Sequence, residues 1–398
     1  MDPIQNPYTP GAGSRPPALA GRDREIQTFR ILLERVRQGR PEKSLLITGL
    51  RGVGKTVLLS TFRDLAESAG FKTAESEVTH ETSFRQLMAR LGRRVLLELN
   101  PIGKVKNKAW QAARVFKAFT LKTPDGYEIG IDIDAARGKA DSGDLSEDLS
   151  DLFVALGEAA RERKSGVVFL FDEVHFLARA DLEALIAALH FAIQRDLPIT
   201  VVGAGLPQLP KLAGEAKSYA ERLFDFPSIG RLSSAAAREA LVKPAKAQGV
   251  EYEGAATDAV IEFTEGYPYF LQEFGKHVWN LASGSPITLQ DVERARPVVQ
   301  AQLDENFIRV RIGRTTAAER RYLSAMASLG HGPYKTGDIA VKLGTDSPRV
   351  APLRNQLITK GLIYSQSHGI TDFTVPQFDG FLRRCFPFKR ATKRSRTT

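Results

Sequence analysis

Hydrophobic and polar positions in the first part of the chain alternate between two periods. Short continuous apolar runs, such as "SLLIT" at 44–48 and "GVVFLF" at 166–171, are typical of parallel strands buried on both faces. Between such runs, apolar residues recur every three or four positions, as at Leu149, Leu152 and Leu156, which is the spacing of an amphipathic helix. Strands that alternate with helices predict an α/β fold, namely an αβα domain around a parallel sheet.

Further along the chain, strand-like runs stop and helical spacing continues alone. The pattern predicts four helices, over 233–247, 254–265, 268–282 and 288–311. Thr288 and Asp291 predict the N-terminal cap of the last one. After Arg314 the pattern predicts three helices and then two strands around a tip at His368.

These patterns divide the chain into consecutive parts. They are a Pro-rich N-terminal arm (1–17), an α/β core (18–232) with an insertion at about 101–143, a helical region with a connecting helix (233–314), a small mixed domain (315–386) and a basic tail (387–398). The prolines of the arm predict an extended segment that is poorly ordered or straps the surface. In the insertion, the sequence predicts a basic helix, a hairpin around a "DG" pair and a flexible loop. The basic residues of this helix indicate either a solvated helix face or a second contact with an anion.

The net charge of +10 is concentrated at one end of the chain. Residues 303–398 hold 17 Lys+Arg and 7 Asp+Glu, whereas the rest of the chain holds 39 of each. This asymmetry indicates a C-terminal module that faces a polyanion. A solvated face followed by a disordered basic tail is the alternative interpretation.

Composition excludes several classes of protein. A content of 42% hydrophobic and 26% charged residues is sufficient for a sizeable buried core. Cys385 is the only cysteine, which excludes an intrachain disulfide and a cysteine metal cluster. No apolar run approaches the ~18 residues of a membrane helix, and the N-terminus has no signal-peptide pattern. We therefore predict a cytoplasmic protein without a membrane partner.

The segment "GLRGVGKT" has the spacing GxxxxGK[ST] between a predicted strand and an apolar helix. Backbone N–H groups of such a loop converge on phosphate oxygens, and the following helix adds positive potential. Lys55 is predicted to reach the β- and γ-phosphates, and the Thr56 hydroxyl to bind Mg²⁺. We predict that ATP or ADP is bound by Gly49, Leu50, Arg51, Gly52, Val53, Gly54, Lys55 and Thr56.

Two adjacent acids follow the apolar run in "VVFLFDEVHFL". At the end of a buried strand, Asp172 would lie beside the Mg²⁺ shell. Glu173, one step further, would polarise an attacking water. A water-directing glutamate favours a hydrolase over a small-molecule kinase, so we predict Glu173 and Lys55 as catalytic residues.

The motifs "LAGRDREI", "GLRGVGKT", "FDEVHFL" and "GYPYFLQEFGKHVW" together resemble AAA+ P-loop ATPases. The resemblance is to the origin-recognition-like and archaeal-type group, which borders on the STAND signalling ATPases, and it covers roughly residues 15–310 without the insertion. It implies an αβα core with a helical lid, and hydrolysis of ATP to ADP and phosphate with Mg²⁺.

The same resemblance implies roles for further residues. Leu19, Gly21 and Arg22 would frame the adenine, and Pro268 of the "GYP" segment would pack near the base. Arg222 would act as an arginine finger towards a γ-phosphate, with Arg231 as the competing candidate.

The sequence departs from the family pattern at the end of one strand and in the lid. Where the family places a polar sensor residue, this chain has Ala204 and Gly205, unless Gln208 substitutes. Lys276 and His277 lie too deep in the lid to serve as a sensor arginine. Slow or partner-stimulated hydrolysis is therefore expected.

Residues 315–386 resemble a winged helix-turn-helix. Its third helix is predicted to begin at a Ser347 cap with Pro348 in the first turn. Arginine and asparagine are residue types that read base edges in a major groove. The predicted outward, DNA-facing residues are Ser347, Arg349, Arg354, Asn355, Lys360 and the tip residue His368. A protein-interaction module is the alternative.

The sequence thus predicts a switch ATPase that couples its nucleotide state to double-stranded DNA. A STAND-like signalling ATPase is the alternative, in which the winged helix is an autoinhibitory or protein-binding module. A protein partner or self-association in the ATP state is compatible with both. A translocating motor ranks last, because no aromatic pore loop follows the second predicted strand.

Overall fold

The computed structural model describes residues 1–11, 13–99, 108–121, 134–367 and 369–389. Most of the predicted hairpin of the insertion (116–134), the tip residue His368 and the tail from 390 onward lie outside this part of the chain. Residues 116–121 of that hairpin are described and are helical, so this part of the prediction is wrong. The described residues form two compact units. We call them the sheet unit (Arg22–Gly49 and Gly54–Ile229) and the helical unit (Met1–Gly21, Leu50–Val53 and Gly230–Thr398).

The sheet unit contains the predicted parallel sheet. In the described residues, five strands lie in the order β2-β3-β4-β1-β5, and every neighbouring pair is parallel. The strands are β1 (Ser44–Thr48), β2 (Lys72–Glu77), β3 (Val167–Asp172), β4 (Ile199–Gly205) and β5 (Phe224–Asp225). All residues of β1 and β4 are buried, which explains their continuous apolar runs.

Helices surround this sheet and complete its core. They are α1 (Asp23–Arg37), α2 (Lys55–Ser68), α3 (Phe84–Glu98), α4 (Lys108–Leu121), α5 (Leu145–Glu162), α6 (Arg179–Ile193), α7 (Leu209–Ala216) and α8 (Ala220–Leu223). Aromatic packing links the layers: the Phe153 ring of α5 stacks on Phe169 of β3 with centroids 5.1 Å apart. Within the described ranges, every helix is too short or too polar to cross a membrane.

Helix α4 shows that the basic helix of the insertion is not merely a solvated surface helix. It packs against α3 and α5, and its apolar face, including Phe116 and Phe119, is buried in the core of the sheet unit. Its polar side is also engaged, since Lys108 pairs with Glu158 at 2.8 Å. This part of the insertion is therefore integral to the domain, because apolar positions at helical spacing outweigh its basic character.

In the described residues between 230 and 314, the helical unit contains five α-helices. They are α9 (Ser234–Ala247), α10 (Gly254–Thr264), α11 (Pro268–Leu281), α12 (Leu289–Gln302) and α13 (Val310–Ile312). Thr288 and Asp291 form the predicted capping box of α12. A π-helical stretch, Leu303–Arg309, connects α12 to α13, so the helix predicted over 288–311 is continuous but not uniformly α-helical.

The N-terminal arm is a strap on these helices. Tyr8 is buried, and its hydroxyl donates a hydrogen bond to the Leu241 carbonyl at 2.6 Å. The Trp279 indole donates to the Asp2 carbonyl at 2.9 Å. Of the two alternatives for the arm, the structure favours the ordered strap.

The C-terminal part of the helical unit alternates helices and strands. Its elements are α14 (Ala317–Ala327), β6 (Tyr334–Lys335), α15 (Thr336–Leu343), α16 (Ser347–Thr359), β7 (Ile363–Ser367), β8 (Ile370–Phe373) and α17 (Phe378–Cys385). The strands form an antiparallel sheet in the order β6-β8-β7. The predicted Ser347 cap is wrong by one residue, because the Asp346 carboxylate accepts the hydrogen bond from the Arg349 N–H.

Candidate functional site

The parallel register brings three strand ends to one edge of the sheet. Thr48 of β1 pairs with Gly205 of β4, and Gly203 of β4 pairs with Phe171 of β3. The glycine-rich loop that follows β1 and the acids that end β3 therefore leave the sheet on the same side. Carboxyl ends of parallel strands are the usual place for ligands in such sheets.

The base of the glycine-rich loop leads directly into α2. Gly54 has φ +92°, a left-handed conformation that a side chain would strain, and α2 begins at the next residue. Lys55 is 7% exposed, and its Nζ donates to the Gly49 carbonyl at 2.9 Å. The ammonium group is thus held against the residue that opens the loop, beside the N-terminus of a helix. This arrangement suits a phosphate ligand.

The residues predicted to bind magnesium are in direct contact. The Thr56 hydroxyl donates to Asp172 Oδ2 at 2.5 Å. A hydroxyl and a carboxylate are hard oxygen ligands, and Mg²⁺ in nucleotide sites takes one or two carboxylates besides phosphate oxygens and waters. This donor set therefore fits Mg²⁺. Among the described residues, no group of three His, Cys, Asp or Glu side chains has a metal-binding arrangement.

Glu173 has an unusual backbone conformation. Its φ of 54° and ψ of 37° are left-handed, and its N–H donates to Asp172 Oδ1 at 2.8 Å. Such a conformation in a residue other than glycine is strained and is enriched at functional sites. The turn that follows, Val174–Phe176, carries His175, whose Nδ1 lies 3.3 Å from Glu173 Oε2.

The predicted adenine-framing residues fall in both units. In the sheet unit, Arg22 precedes α1 and is 7% exposed, and burial lowers the pKa of its guanidinium, with nearby Glu25 opposing this. In the helical unit, a Cβ on Gly21 would lie 2.8 Å from the Ala236 side chain. Leu19 is half-buried in the same segment. Pro268 is in the first turn of α11, as predicted for a helix N-terminus.

The two arginine-finger candidates differ in their surroundings. Arg222, on α8 of the sheet unit, is exposed. Arg231, in the helical unit, pairs with Glu265 at 3.2 Å, and its guanidinium lies over the Tyr267 ring at 5.5 Å. The structure therefore gives Arg231 local partners of its own.

Residues considered as sensors do not gain support. Gln208 occupies the N-terminal cap position of α7 without a capping hydrogen bond from its side chain. His277 lies 3.3 Å from Glu273 within α11, and the Lys276 carbonyl accepts a hydrogen bond from the N-terminal strap residue Asn6.

The predicted DNA-facing residues of α16 divide into two groups. Ser347, Arg349 and Asn355 are exposed, as predicted. Arg354 is not outward, because its guanidinium donates to the Ser365 hydroxyl of β7 at 2.9 Å. Lys360 is exposed, but its ammonium group has partners within its own domain.

Lys360 neutralises a buried acid within its own domain. Its Nζ donates to Glu319 Oε2 at 2.7 Å and to the Arg314 carbonyl at 3.0 Å. Glu319 is 1% exposed. Burial would raise the pKa of Glu319, but the hydrogen bonds from Lys360 and Thr316 bring it below its ordinary value. A buried carboxylate needs such a partner, which explains why the Lys360 ammonium group contacts Glu319.

Two features of the site were not predicted from the sequence. One is the approach of His175 to Glu173; its only sequence signal is a histidine two residues after the acidic pair. The other is a hydrogen bond from the Arg51 N–H, at the tip of the glycine-rich loop, to the Thr374 carbonyl at 3.0 Å. Arg51 and Thr374 both belong to the helical unit.

Comparison with known families supports the nucleotide-binding domain. Residues 18–202 match the family described as "AAA ATPase domain". This stretch holds the glycine-rich loop, Asp172 and Glu173, and its sequence is similar to that of AAA ATPase domains. Residues 305–382 match a family described as "Domain of unknown function (DUF8462)". Comparison with curated proteins finds no match.

Solved structures with a similar fold cover most of the chain. A Walker-type ATPase of Pyrococcus abyssi is 17% identical with a TM-score of 0.52, covering 93% of this chain and 97% of its own. The Orc1 protein of Aeropyrum pernix in complex with DNA is 15% identical, with a TM-score of 0.45 and coverages of 93% and 94%. The RuvB Holliday junction branch migration motor of Thermotoga maritima is 16% identical, with a TM-score of 0.44 and coverages of 94% and 99%. The first likeness supports the fold.

Proposed function

We propose that the protein is a slow or partner-stimulated ATPase whose nucleotide state controls DNA binding by a C-terminal winged helix. The observation that carries this proposal is the hydrogen bond between the tip of the glycine-rich loop and the C-terminal domain. A loop that binds phosphate and also contacts a second domain is suited to transmit the nucleotide state.

The hydrolytic residues follow from the edge of the sheet. Lys55 holds the β- and γ-phosphates, and Glu173 orients the attacking water and accepts its proton. Thr56 and Asp172 would hold Mg²⁺, which when bound neutralises charge on the phosphates. Arg222 is the better arginine-finger candidate, because Arg231 is engaged with Glu265 and Tyr267. An exposed Arg222 suits a γ-phosphate in the same chain or in a second copy.

The contact at the loop tip is built on a fixed acceptor. Thr374 is fully buried, and its hydroxyl donates to the Gly361 carbonyl at 2.7 Å while its N–H donates to the Leu362 carbonyl at 3.1 Å. Its own carbonyl accepts from the Arg51 N–H. On the other side of the tip, the Gly52 carbonyl accepts from the Tyr269 N–H at 3.2 Å. The tip is thus bonded both to the C-terminal domain and to the start of α11.

Charge at this contact makes it sensitive to an anion. Burial, followed by the positive charge of Arg51, lowers the pKa of Arg311 to about 10. Two like charges repel here, and phosphate groups bound at the loop would relieve that repulsion. A coupling free energy of about 1–3 kcal/mol between two sites is ordinary for allosteric proteins. Loss of the Arg51–Thr374 hydrogen bond, together with relief of the repulsion between Arg51 and Arg311, would change the free energy by a similar amount.

The DNA-binding part of the proposal is supported by element order, charge and exposure. Helix, strand, helix, helix and two strands, as in α14 to β8, is the order of a winged helix. Ser347, Arg349 and Asn355 are exposed on α16, the helix that would enter a major groove. The basic excess of residues 303–398 would neutralise phosphates.

The test measures ATP hydrolysis and duplex DNA binding by the intact protein, at two salt concentrations and with ATP or ADP. We expect Glu173→Gln to abolish hydrolysis, and DNA affinity to differ between nucleotides and to fall steeply with salt. Arg349→Ala combined with Asn355→Ala should weaken DNA binding, whereas Arg321→Ala, on α14, is the matched control. DNA affinity that is independent of nucleotide and of these α16 residues would contradict the proposal.

A STAND-like signalling ATPase is the second candidate. Arg354 and Lys360 are committed to their own domain, which reduces the basic surface of α16 and favours a protein partner. In that case the Arg51–Thr374 contact would be autoinhibitory. ATP-dependent self-association together with indifference to DNA would decide for this candidate.

A further inference from the structure

The end of β4 has no polar side chain, and the structure gives a steric reason. A Cβ on Gly205 would lie 3.2 Å from His175 Nδ1 and 3.5 Å from its backbone nitrogen. Two residues earlier in the strand, on the same face, a Cβ on Gly203 would lie 2.8 Å from a Val174 methyl group. The two glycines therefore make room for the turn Val174–Phe176, which follows the acidic pair. Where a polar side chain of β4 could stand, the strand end faces the His175 ring.

The His175 ring is held firmly in this position. Its side chain is 2% exposed. It packs on the Phe176 ring with centroids 4.2 Å apart, and Phe176 in turn packs on His80 at 4.2 Å. A ring confined in this way presents Nδ1 to a fixed set of neighbours.

Two neighbours compete for His175 Nδ1. The Leu206 N–H, directly after β4, approaches this nitrogen as a donor at 3.3 Å. Glu173 Oε2 approaches the same nitrogen as an acceptor, also at 3.3 Å. An imidazole nitrogen either carries a proton and donates or lacks one and accepts. Only one of the two hydrogen bonds is therefore made at a time.

We propose that His175 is a positioning residue for Glu173 and links it to the end of β4. With a proton on Nδ1, His175 donates to the Glu173 carboxylate and holds it in one orientation. With the proton on the other ring nitrogen, Nδ1 accepts from the Leu206 N–H and the carboxylate is released. The backbone of Glu173 is strained at φ 54°, a conformation that persists where the surrounding structure holds the residue in place. This inference rests on the proposed role of Glu173 in ATP hydrolysis.

The first test compares steady-state kcat, KM and nucleotide affinity of the intact protein and its variants. His175→Leu removes both hydrogen bonds, whereas His175→Asn keeps an amide that donates and accepts. We expect His175→Leu to lower kcat roughly tenfold, less than removal of the general base itself. Nucleotide affinity should stay within about twofold, because His175 is not among the phosphate-binding residues. His175→Asn should retain most of kcat.

Two further variants separate positioning from a general loss of structure. His190→Leu alters another histidine of the sheet unit, which packs on Tyr219, and should leave kcat unchanged. In a Glu173→Gln background, His175→Leu should have no further effect, because both changes act on one group. Equal kcat for wild type and His175→Leu, equal loss in His175→Asn, or additivity with Glu173→Gln would each overturn the inference.

A spectroscopic measurement does not depend on turnover. Nitrogen-15 NMR of the histidine rings reports which nitrogen of His175 carries the proton. If Glu173 is its partner, Glu173→Gln should change the His175 signals and leave those of His190 in place. Unchanged His175 signals would overturn the inference. Wild-type protein without Glu173-dependent hydrolysis would instead overturn the proposed function, and this inference with it.

Discussion

Two polar regions were predicted from the spacing of polar residues. One is the edge of the sheet unit at which we propose that phosphate binds, with Lys55, Thr56 and Asp172, here called the phosphate edge; the other is the polar face of α16. At the phosphate edge, Lys55, Thr56 and Asp172 lie as expected and contact one another or the loop itself. At α16, two of the three basic residues considered, Arg354 and Lys360, bond to groups of their own domain, namely Ser365 and Glu319.

The difference lies in what else each polar group is able to do. At the end of a buried parallel strand, most neighbouring groups are backbone or apolar, and the Asp172 carboxylate accepts hydrogen bonds from the Thr56 hydroxyl and the Glu173 N–H. On a surface helix of a small domain, a long basic side chain reaches the polar groups of adjacent elements. A buried acid such as Glu319 then attracts it more strongly than solvent does.

The comparison is tested most strongly at Glu173. Glu173→Gln keeps the size of the side chain and removes the general base, so kcat should fall about 100- to 10,000-fold. Nucleotide binding should persist, because Lys55 and the loop are unchanged. The measurement is phosphate release together with nucleotide affinity. Retained turnover would mean that the phosphate edge is no better predicted than α16.

A smaller effect is expected on stability at Lys360. Lys360→Met leaves the Glu319 carboxylate buried beside an apolar group, and we expect a loss of about 2 kcal/mol in the free energy of unfolding. Urea denaturation measures it, with Lys335→Met, at an exposed position of β6, as the control. An effect no larger than that of the control would return Lys360 to the outward set.

The same pair predicts a pH dependence. The folded-state pKa of Glu319 lies below its unfolded value of about 4.3. Its contribution to stability is therefore fully present above that pH and is lost as the pH falls through the folded-state pKa. Lys360→Met should flatten this acid-side loss, measured as the unfolding midpoint between pH 6 and pH 3, a range set by the ordinary carboxyl pKa of about 4. An unchanged slope would contradict the pairing.

On the exposed side of α16, Arg349→Ala should weaken duplex DNA binding about tenfold, within the range for one arginine contact. Arg321→Ala should have little effect. Fluorescence anisotropy at two salt concentrations separates a base contact from a phosphate contact. Only the loss of a phosphate contact reduces the dependence of DNA affinity on salt. Equal effects of the two substitutions would remove α16 from the interface.

The smallest predicted effect concerns the loop tip. Gly361 and Gly344 both have positive φ, +65° and +75°, but a Cβ on Gly361 would lie 2.9 Å from the Arg51 guanidinium, whereas none of the described heavy atoms lies within 4 Å of one on Gly344. Gly361→Ala should cost about 1 kcal/mol more than Gly344→Ala, and Arg51→Ala should cancel the excess. Thermal unfolding measures this for each of the two glycine variants, once with Arg51 and once combined with Arg51→Ala. An excess that survives in Arg51→Ala would contradict the contact.

Predictability followed the range of the interactions. The runs at β1 and β3 and the GxxxxGK[ST] spacing are local, so the strands, the loop and the acidic pair were predicted at their observed positions. The apolar stripe of α4 was also local, but its basic residues suggested a solvated helix, and only packing against α3 and α5 placed it in the core. The cap of α16 was displaced by one residue, because Asp346 and Ser347 both suit that role.

By itself, the sequence determined the α/β core, the glycine-rich loop, the acidic pair and the helical and mixed elements that follow, because periodicity and motif spacing are properties of neighbouring residues. Tertiary structure alone decided that Lys360 serves Glu319, that His175 meets Glu173, and that Arg51 is bonded to Thr374. Each of these depends on which groups remain buried with an unmet hydrogen bond or charge after the chain has folded. Lys360 and Glu319 are 41 positions apart and Arg51 and Thr374 are more than 300 apart, so neither contact leaves a periodic signal in the sequence. The place of the His175 ring depends on a glycine in another strand, which leaves no such signal either.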